Sequence, residues 1–330
     1  MKRVCTLLLC ACLLLGLCGC GGPKRYTADT FAFDTVISLV AYCDSEEQFQ
    51  AIRSAAFGRI QELHKKFDIY NEYEGMNNLC TVNRLAGQTV AVDKEIMDLV
   101  LNASRGWYRQ SEGRVNIAQG KLYALWREAR ETGVLPTDEA IQQAMAHGDV
   151  ENIKLGNQKS PSITLLDPEM ALDVGAVAKG YAAQQAAKAA ADAGGENFAI
   201  SAGGNVVVWG DIKGRPWNVG IRDPRSEDPN AYITTVEASY TSLVTSGGYE
   251  RNLVVDGREY CHIIDPKTGY PADYVLSATA VHFNSDEADF YSTALFLMTP
   301  EEAMEFAGKY KFRAIIVDKD GQIHDSGPLE

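Results

Sequence analysis

Apolar residues recur every three or four positions through the first half of the chain and at every second position, in short runs, from Phe198 onward. That change of period restricts the fold more than any other feature of the sequence. Phe49, Ile52, Ala56, Ile60, Leu63 and Phe67 share one face of a helix over 46–67, and Ile96, Leu99, Val100, Ala103 and Trp107 share one face of the next. A third helix is predicted to start at Thr137, an N-cap followed by Asp138 and Glu139, where the helix dipole favours negative charge. Residues 178–193 are alanine-rich and helical by propensity until Gly194-Gly195 break them. The runs over 199–209, 217–222, 233–236, 252–255 and 276–283 are short, rich in β-branched and aromatic residues, and separated by Gly, Pro and Asp. Asp256-Gly257 predicts a tight hairpin. One last helix over 286–310, a strand over 313–317 and a turn at Asp320-Gly321 follow. Helices first and strands later predict an α+β fold with a largely antiparallel sheet flanked by helices.

The chain has 330 residues, 46% of them hydrophobic and 23% charged, enough to bury a large core. A net charge of -13 with no clustered Lys or Arg argues against a nucleic-acid partner, which needs a concentrated basic surface. A polyanionic ligand would therefore need a cation's help.

Lys2 and Arg3 precede an apolar run from Val4 to Leu17, the pattern of a signal peptide and too short to span a bilayer. Leu17-Cys18-Gly19-Cys20 is similar to the lipobox of bacterial lipoproteins. Cleavage before Cys20 would leave 1–19 as signal, a lipid-modified Cys20 opening a tether over 20–29, and one folded domain over 30–330. The acyl chains would hold that domain at the extracytoplasmic face of the cell membrane. An ordinary secretory signal rich in cysteine is the alternative. Cys43, Cys80 and Cys261 remain beyond the signal, with no CxxC pair, which argues against a disulfide framework or a zinc site.

Five segments have residue types suited to chemistry, each with a plain structural explanation beside the functional one. Asp173 to Tyr181 sets a carboxylate and two glycines at a helix start, a place where free N–H groups receive phosphate oxygens, or merely an ordinary helix entry. Ser201 to Asn205 puts paired glycines inside a strand pattern, predicting a bulge or the close approach of a ligand to the backbone. Thr245 to Arg251 has hydroxyls beside glycines and an Arg that pairs with phosphate or with Glu250. His262 to Gly269 places a histidine at the end of a strand, where it could act as a general base or pack under the turn. Asp289 and Thr293, four apart on a predicted helix, point the same way and could share a hard cation, or form a solvated face.

In this order these five segments resemble the ApbE family of flavin transferases, the FAD:protein FMN transferases. Phe67-Asp68-Ile69-Tyr70 followed by Val82-Asn83, and Gly113 to Gly120, extend the resemblance over nearly all of 30–318. The chain departs from the family at Phe33-Asp34-Thr35, where Met-Gly-Thr is frequent, and at Val115-Asn116, where Phe-Asp is usual.

The resemblance implies an ApbE-like (T-fold-like) architecture and a set of roles. The main-chain oxygen of Ala176 and the side chains of Asp289 and Thr293 would hold Mg²⁺. Asn116, Asp173, Lys179, Gly203, Gly204, Ser246, Gly247, Arg251 and Ile263 would contact FAD, with Tyr70 near the flavin and His262 as the base. FMN would pass from FAD to a Ser or Thr hydroxyl of an acceptor protein, a subunit of a membrane redox complex, with AMP leaving. The alternatives are an FAD pyrophosphatase, a flavin-binding lipoprotein without catalysis, and a solute-binding lipoprotein. Because the anchor is chemically separate from the folded domain, Cys20→Ala should give protein that no longer fractionates with membranes yet still transfers FMN; retention in the membrane fraction would count against the lipobox.

Overall fold

Eight strands pair in the order in which the chain makes them, each antiparallel to the last. They are β1 (Lys24–Ala32), β2 (Thr35–Cys43), β3 (Phe198–Ala202), β4 (Asn205–Trp209), β5 (Thr241–Gly247), β6 (Ser277–His282), β7 (Arg313–Val317) and β8 (Ile323–Asp325) in the computed structural model. The structure describes residues 22–228, 230–249 and 252–328, so Cys20 and Arg251 lie outside the described residues. The sheet is antiparallel and flanked by helices, as the change of period predicts, but helices do not come first. β1 and β2 open it, and the whole stretch from Asp44 to Asn197 is inserted between β2 and β3. Their alternation is there to read in Ile37, Leu39, Ala41 and Cys43, all buried, with half-buried or exposed residues between them.

One sheet face receives three helices, α1 (Glu46–Phe67), α2 (Ala178–Asp192) and α3 (Ser285–Phe296). The predicted stripe of α1 is buried along its length; Phe49, Ile52, Ala56 and Ile60 pack with Ala183, Ala186, Ala187 and Ala190 of α2 on Ile37, Leu39, Phe198, Ile200 and Val207, while Leu63 and Phe67 join a second, larger core with Phe290 and Leu295 of α3. Alanine suits α2 for this place, because small side chains let it lie close to both α1 and the sheet. The opposite face is covered by the hairpin of Trp217–Arg222 and Tyr232–Ala238, whose Trp217, Ile221 and Val236 bury Val208, Leu243, Val281 and Ile315. A small sheet of Thr89–Ala91, Ser160–Leu165 and Ile153–Asn157 extends the first core, and the helices Gly120–Thr132 and Asp138–Ala146 pack with Leu253 and Ile264 in a further one. The Thr137 cap is present, its side chain accepting from the Ala140 N–H.

Two expectations are corrected. Gly203 and Gly204, with φ of 55° and 92°, form the two-residue turn of the β3–β4 hairpin and no bulge. Glycine is needed because both positions lie in the left-handed region that such turns require. The expected single helix over 286–310 is two, α3 and α4 (Pro300–Tyr310), since Pro300 cannot donate into a continuing helix and Thr299 and Glu302 form a reciprocal capping box. Among the described residues no helix is long and apolar enough to cross a membrane. All three described cysteines are unpaired, and Cys261 has its thiol pushed up by burial while it donates to the carbonyls of Ile263 and Ala272. Removing the capping box with Thr299→Ala should cost about 1 kcal/mol by urea denaturation, with the strands unaffected; a neutral result would show that Pro300 alone sets the break.

Candidate active site

A cavity of about 460 Å³ opens where the β3–β4 turn, the end of β5, the starts of α2 and α3's inner face meet the inserted segment. Tyr70, Asn116, Asp173, Ala176, Lys179, Gly203, Gly204, Ser246, Gly247, His262, Ile263, Asp289 and Thr293 all line it. These positions are scattered over most of the chain; antiparallel pairing and one helix crossing bring them together.

That crossing is the tightest point of the site. A Cβ on Gly180 would lie 2.3 Å from the Ser285 carbonyl oxygen and 2.4 Å from the Asp289 Cβ, so only glycine lets α2 approach α3 this closely. At that contact the Gly180 N–H donates to Asp289 Oδ2 at 2.7 Å instead of to the Ala176 carbonyl four residues back. Asp289 is 3% exposed. Burial pushes its carboxyl above the usual carboxylate range, while the charge of Lys179 and the Gly180 N–H draw it back down. The amide of Asn205 adds a weaker pull in the same direction, although its nitrogen meets no partner at hydrogen-bond geometry. Thr293 stands one helical turn beyond Asp289 on the same side.

The family model for ApbE matches residues 33–316. The chain belongs to the ApbE family. Relatives include a protein called FAD:protein FMN transferase in Klebsiella pneumoniae, 30% identical over 83% of this chain and 85% of that protein, and one of the same name in Treponema pallidum, 28% identical over 88% and 84%. The crystal structure of an ApbE protein from Thermotoga maritima superposes with a TM-score of 0.83 at 29% identity, covering 92% of this chain and 97% of that one.

Within this ApbE fold, local hydrogen bonds aim each lining segment. Asp68, at the end of α1, accepts from the N–H groups of Tyr70 at 2.7 Å and Asn71 at 3.1 Å, and from the Tyr73 hydroxyl at 2.8 Å, so Tyr70 leaves the helix on a fixed turn. The 262–269 turn is built around Asp265, whose carboxylate accepts from the Lys267 N–H and the Tyr274 hydroxyl, each at 2.8 Å. Gly269 closes that turn, its carbonyl accepting from the Trp126 indole at 2.7 Å. His262 therefore projects from a framed turn into the cavity wall. The Thr245 to Gly247 wall is braced by Ser246 against Ser292 at 2.9 Å and Thr245 against Thr279 at 2.8 Å.

Other sequence expectations change. The amides at the start of α2 are mostly used inside the protein: Gly175 donates to Asp173 Oδ1, Val177 and Ala178 to the Val174 carbonyl, and Gly180 to Asp289. The phosphate-cradling helix start that the glycines suggested is accordingly small. The Asn116 side chain has both its groups engaged, donating to the Gly148 carbonyl and accepting from the Ala118 N–H, and the Asn116 carbonyl accepts from Tyr123. Sequence reading gave no site role to Asp68 and Asn205, although both stand in the motifs that carry the resemblance, nor to Arg114, Arg127 and Arg130; all five line the cavity. For the arginines the available signal was the spacing of Arg127 and Arg130, three apart on one helix face. Contrary to the even spread of basic residues along the sequence, the fold gathers these three on one wall.

Above the ordinary aspartate pKa of about 3.9, the folded cation-free protein holds more proton at Asp289 than the unfolded chain does. Stability should therefore fall as pH rises from there through the raised value. Asp289→Asn should flatten that part of the curve in urea midpoints taken across pH, and an unchanged slope would show a solvated carboxylate. Gly180→Ala should cost about 1–3 kcal/mol and displace Asp289; a normal melting temperature would mean that α2 and α3 part without penalty.

Proposed function

We propose that this chain transfers FMN from FAD to a Ser or Thr hydroxyl of another protein, with Asp289, Thr293 and the Ala176 carbonyl holding Mg²⁺. The observation that carries the reading is that every described residue to which the family resemblance gives a role lines one cavity. Naming of relatives as FAD:protein FMN transferases supports the activity, and the chain's matching over most of their length supports carrying it across.

The fit of a hard cation rests on donor chemistry. Among the described residues no group of three or more His, Cys, Asp or Glu is placed to hold a metal. The donors at Asp289 are one carboxylate with neutral oxygens, which suits Mg²⁺ completed by substrate phosphate oxygens and suits zinc poorly. A buried carboxylate whose pKa is raised by burial also gains most from a cation beside it. When bound, Mg²⁺ supplies positive charge against the negative charge that develops on the phosphate oxygens.

The remaining work belongs to the chain's own groups. His262 takes the proton from the acceptor hydroxyl; the hydroxyl oxygen bonds to the FMN-side phosphorus as the P–O bond to AMP breaks, and AMP leaves with that bonding pair. Lys179, held by the Gly175 carbonyl at 3.1 Å, brings a fixed positive charge to the wall beside Asp289. The acceptor as a subunit of a membrane redox complex, and anchoring through Cys20 at the extracytoplasmic face, belong to the same reading and rest on sequence.

Incubation with FAD, Mg²⁺ and candidate acceptors should add the mass of one FMN unit to the acceptor; free FMN and AMP with no adduct would make the chain a hydrolase. His262→Ala should keep FAD affinity and melting temperature while losing single-turnover transfer. Near-normal transfer by that variant removes His262 from the mechanism.

A further inference from the structure

Four cationic side chains line the cavity among the described residues, and three of them are engaged by the protein. Arg114 donates to the Leu297 carbonyl at 3.1 Å and to Glu302 at 2.8 Å. Lys179 donates to the Gly175 carbonyl, and Arg130 also has a partner. Arg127 differs: no hydrogen bond or ion pair within the described residues uses any of its five N–H donors. Its guanidinium instead lies over the Tyr70 ring, 4.6 Å from the centroid. Trp126 and Ala129, its buried neighbours on the same helix, hold the backbone beneath it in place.

A half-buried guanidinium without a counter-charge is costly, the more so in a chain whose other cavity cations are already engaged. A guanidinium over an aromatic face gains from the ring's π-cloud without spending its N–H donors, which here have no hydrogen-bond partner among the described residues and can form two parallel bonds to oxygen atoms. Tyr70 is 55% exposed and its backbone N–H is held by Asp68, and both Tyr70 and Arg127 line the cavity. The charge decides the ligand: the phosphates of FAD carry negative charge and the ring carbonyls carry none. We propose that Arg127 is a substrate-binding residue that takes a phosphate of FAD, with Tyr70 as its positioning residue; the inference rests on the proposed FAD-dependent reaction.

The test measures binding of FAD, FMN, AMP and riboflavin to the full chain in EDTA, for wild type, Arg127→Gln, Arg127→Lys and Tyr70→Leu, with melting temperatures as a control of folding. Arg127→Gln should weaken FAD about tenfold or more and leave riboflavin, which has no phosphate, unchanged. Arg127→Lys should recover part of the loss through its charge, and Tyr70→Leu should weaken FAD less than Arg127→Gln does. A loss confined to FMN or to AMP assigns the contact to that phosphate. Equal losses for FAD and riboflavin would overturn the proposal in favour of a ring contact, and unchanged FAD binding would overturn it outright. If wild type binds no FAD either in EDTA or with Mg²⁺, the functional reading fails; if wild type binds FAD and the variants match it, this inference alone fails.

Discussion

A carboxylate buried to 3% exposure is held by a backbone N–H at the one point where α2 and α3 touch without a side chain between them. Much of the site depends on that contact. It sets Asp289 and Thr293 at the cavity wall and takes the Gly180 proton away from the Ala176 carbonyl. It also brings Lys179, one residue before the glycine, beside the carboxylate. An ionised group so deeply placed is unfavourable by itself, and three partial compensations from Lys179, Gly180 and Asn205 leave it still raised.

The supporting scaffold explains how distant segments reach this point. Strands that pair in chain order need only short turns at one end of the sheet and leave room for long insertions at others. The β3–β4 turn and the end of β5 bring Gly203, Gly204 and Ser246 to the same side as the starts of α2 and the inner face of α3. The long insertion between β2 and β3 then supplies the remaining wall, from Tyr70 through Asn116 to the arginines. A chain of net charge -13 thus still gathers Arg114, Arg127, Arg130 and Lys179 around one cavity, where Asp34, Asp68, Asp173 and Asp289 also line the wall.

Elements with a strong period were legible. The stripes of α1 and of 96–107, the Thr137 cap and the Asp256-Gly257 hairpin follow from spacing and local chemistry, which act over a few residues and are written in them. β1 and β2 were passed over although Ile37, Leu39 and Ala41 alternate cleanly, since their partner β3 lies far along the chain and local reading sees only one strand at a time. Gly203-Gly204 read as a bulge because two consecutive glycines within a strand pattern serve either purpose until the pairing of Ala202 with Asn205 is known. Asn116 lines the cavity as expected, and its side chain also bonds to Gly148 and Ala118, a partnership between distant segments that local sequence does not show.

Sequence alone determined the strongly periodic helices and strands, through spacing that acts over a few residues, and pointed to the family through motifs that resemble it in their order. Only the tertiary structure decided which of those residues meet, that the Asp289 carboxylate rather than a helix carbonyl accepts the Gly180 N–H, and that among the described residues Arg127 has no hydrogen-bond or ion-pair partner while Arg114 has both. Those facts depend on distances between residues far apart in the chain, and no local pattern encodes such distances.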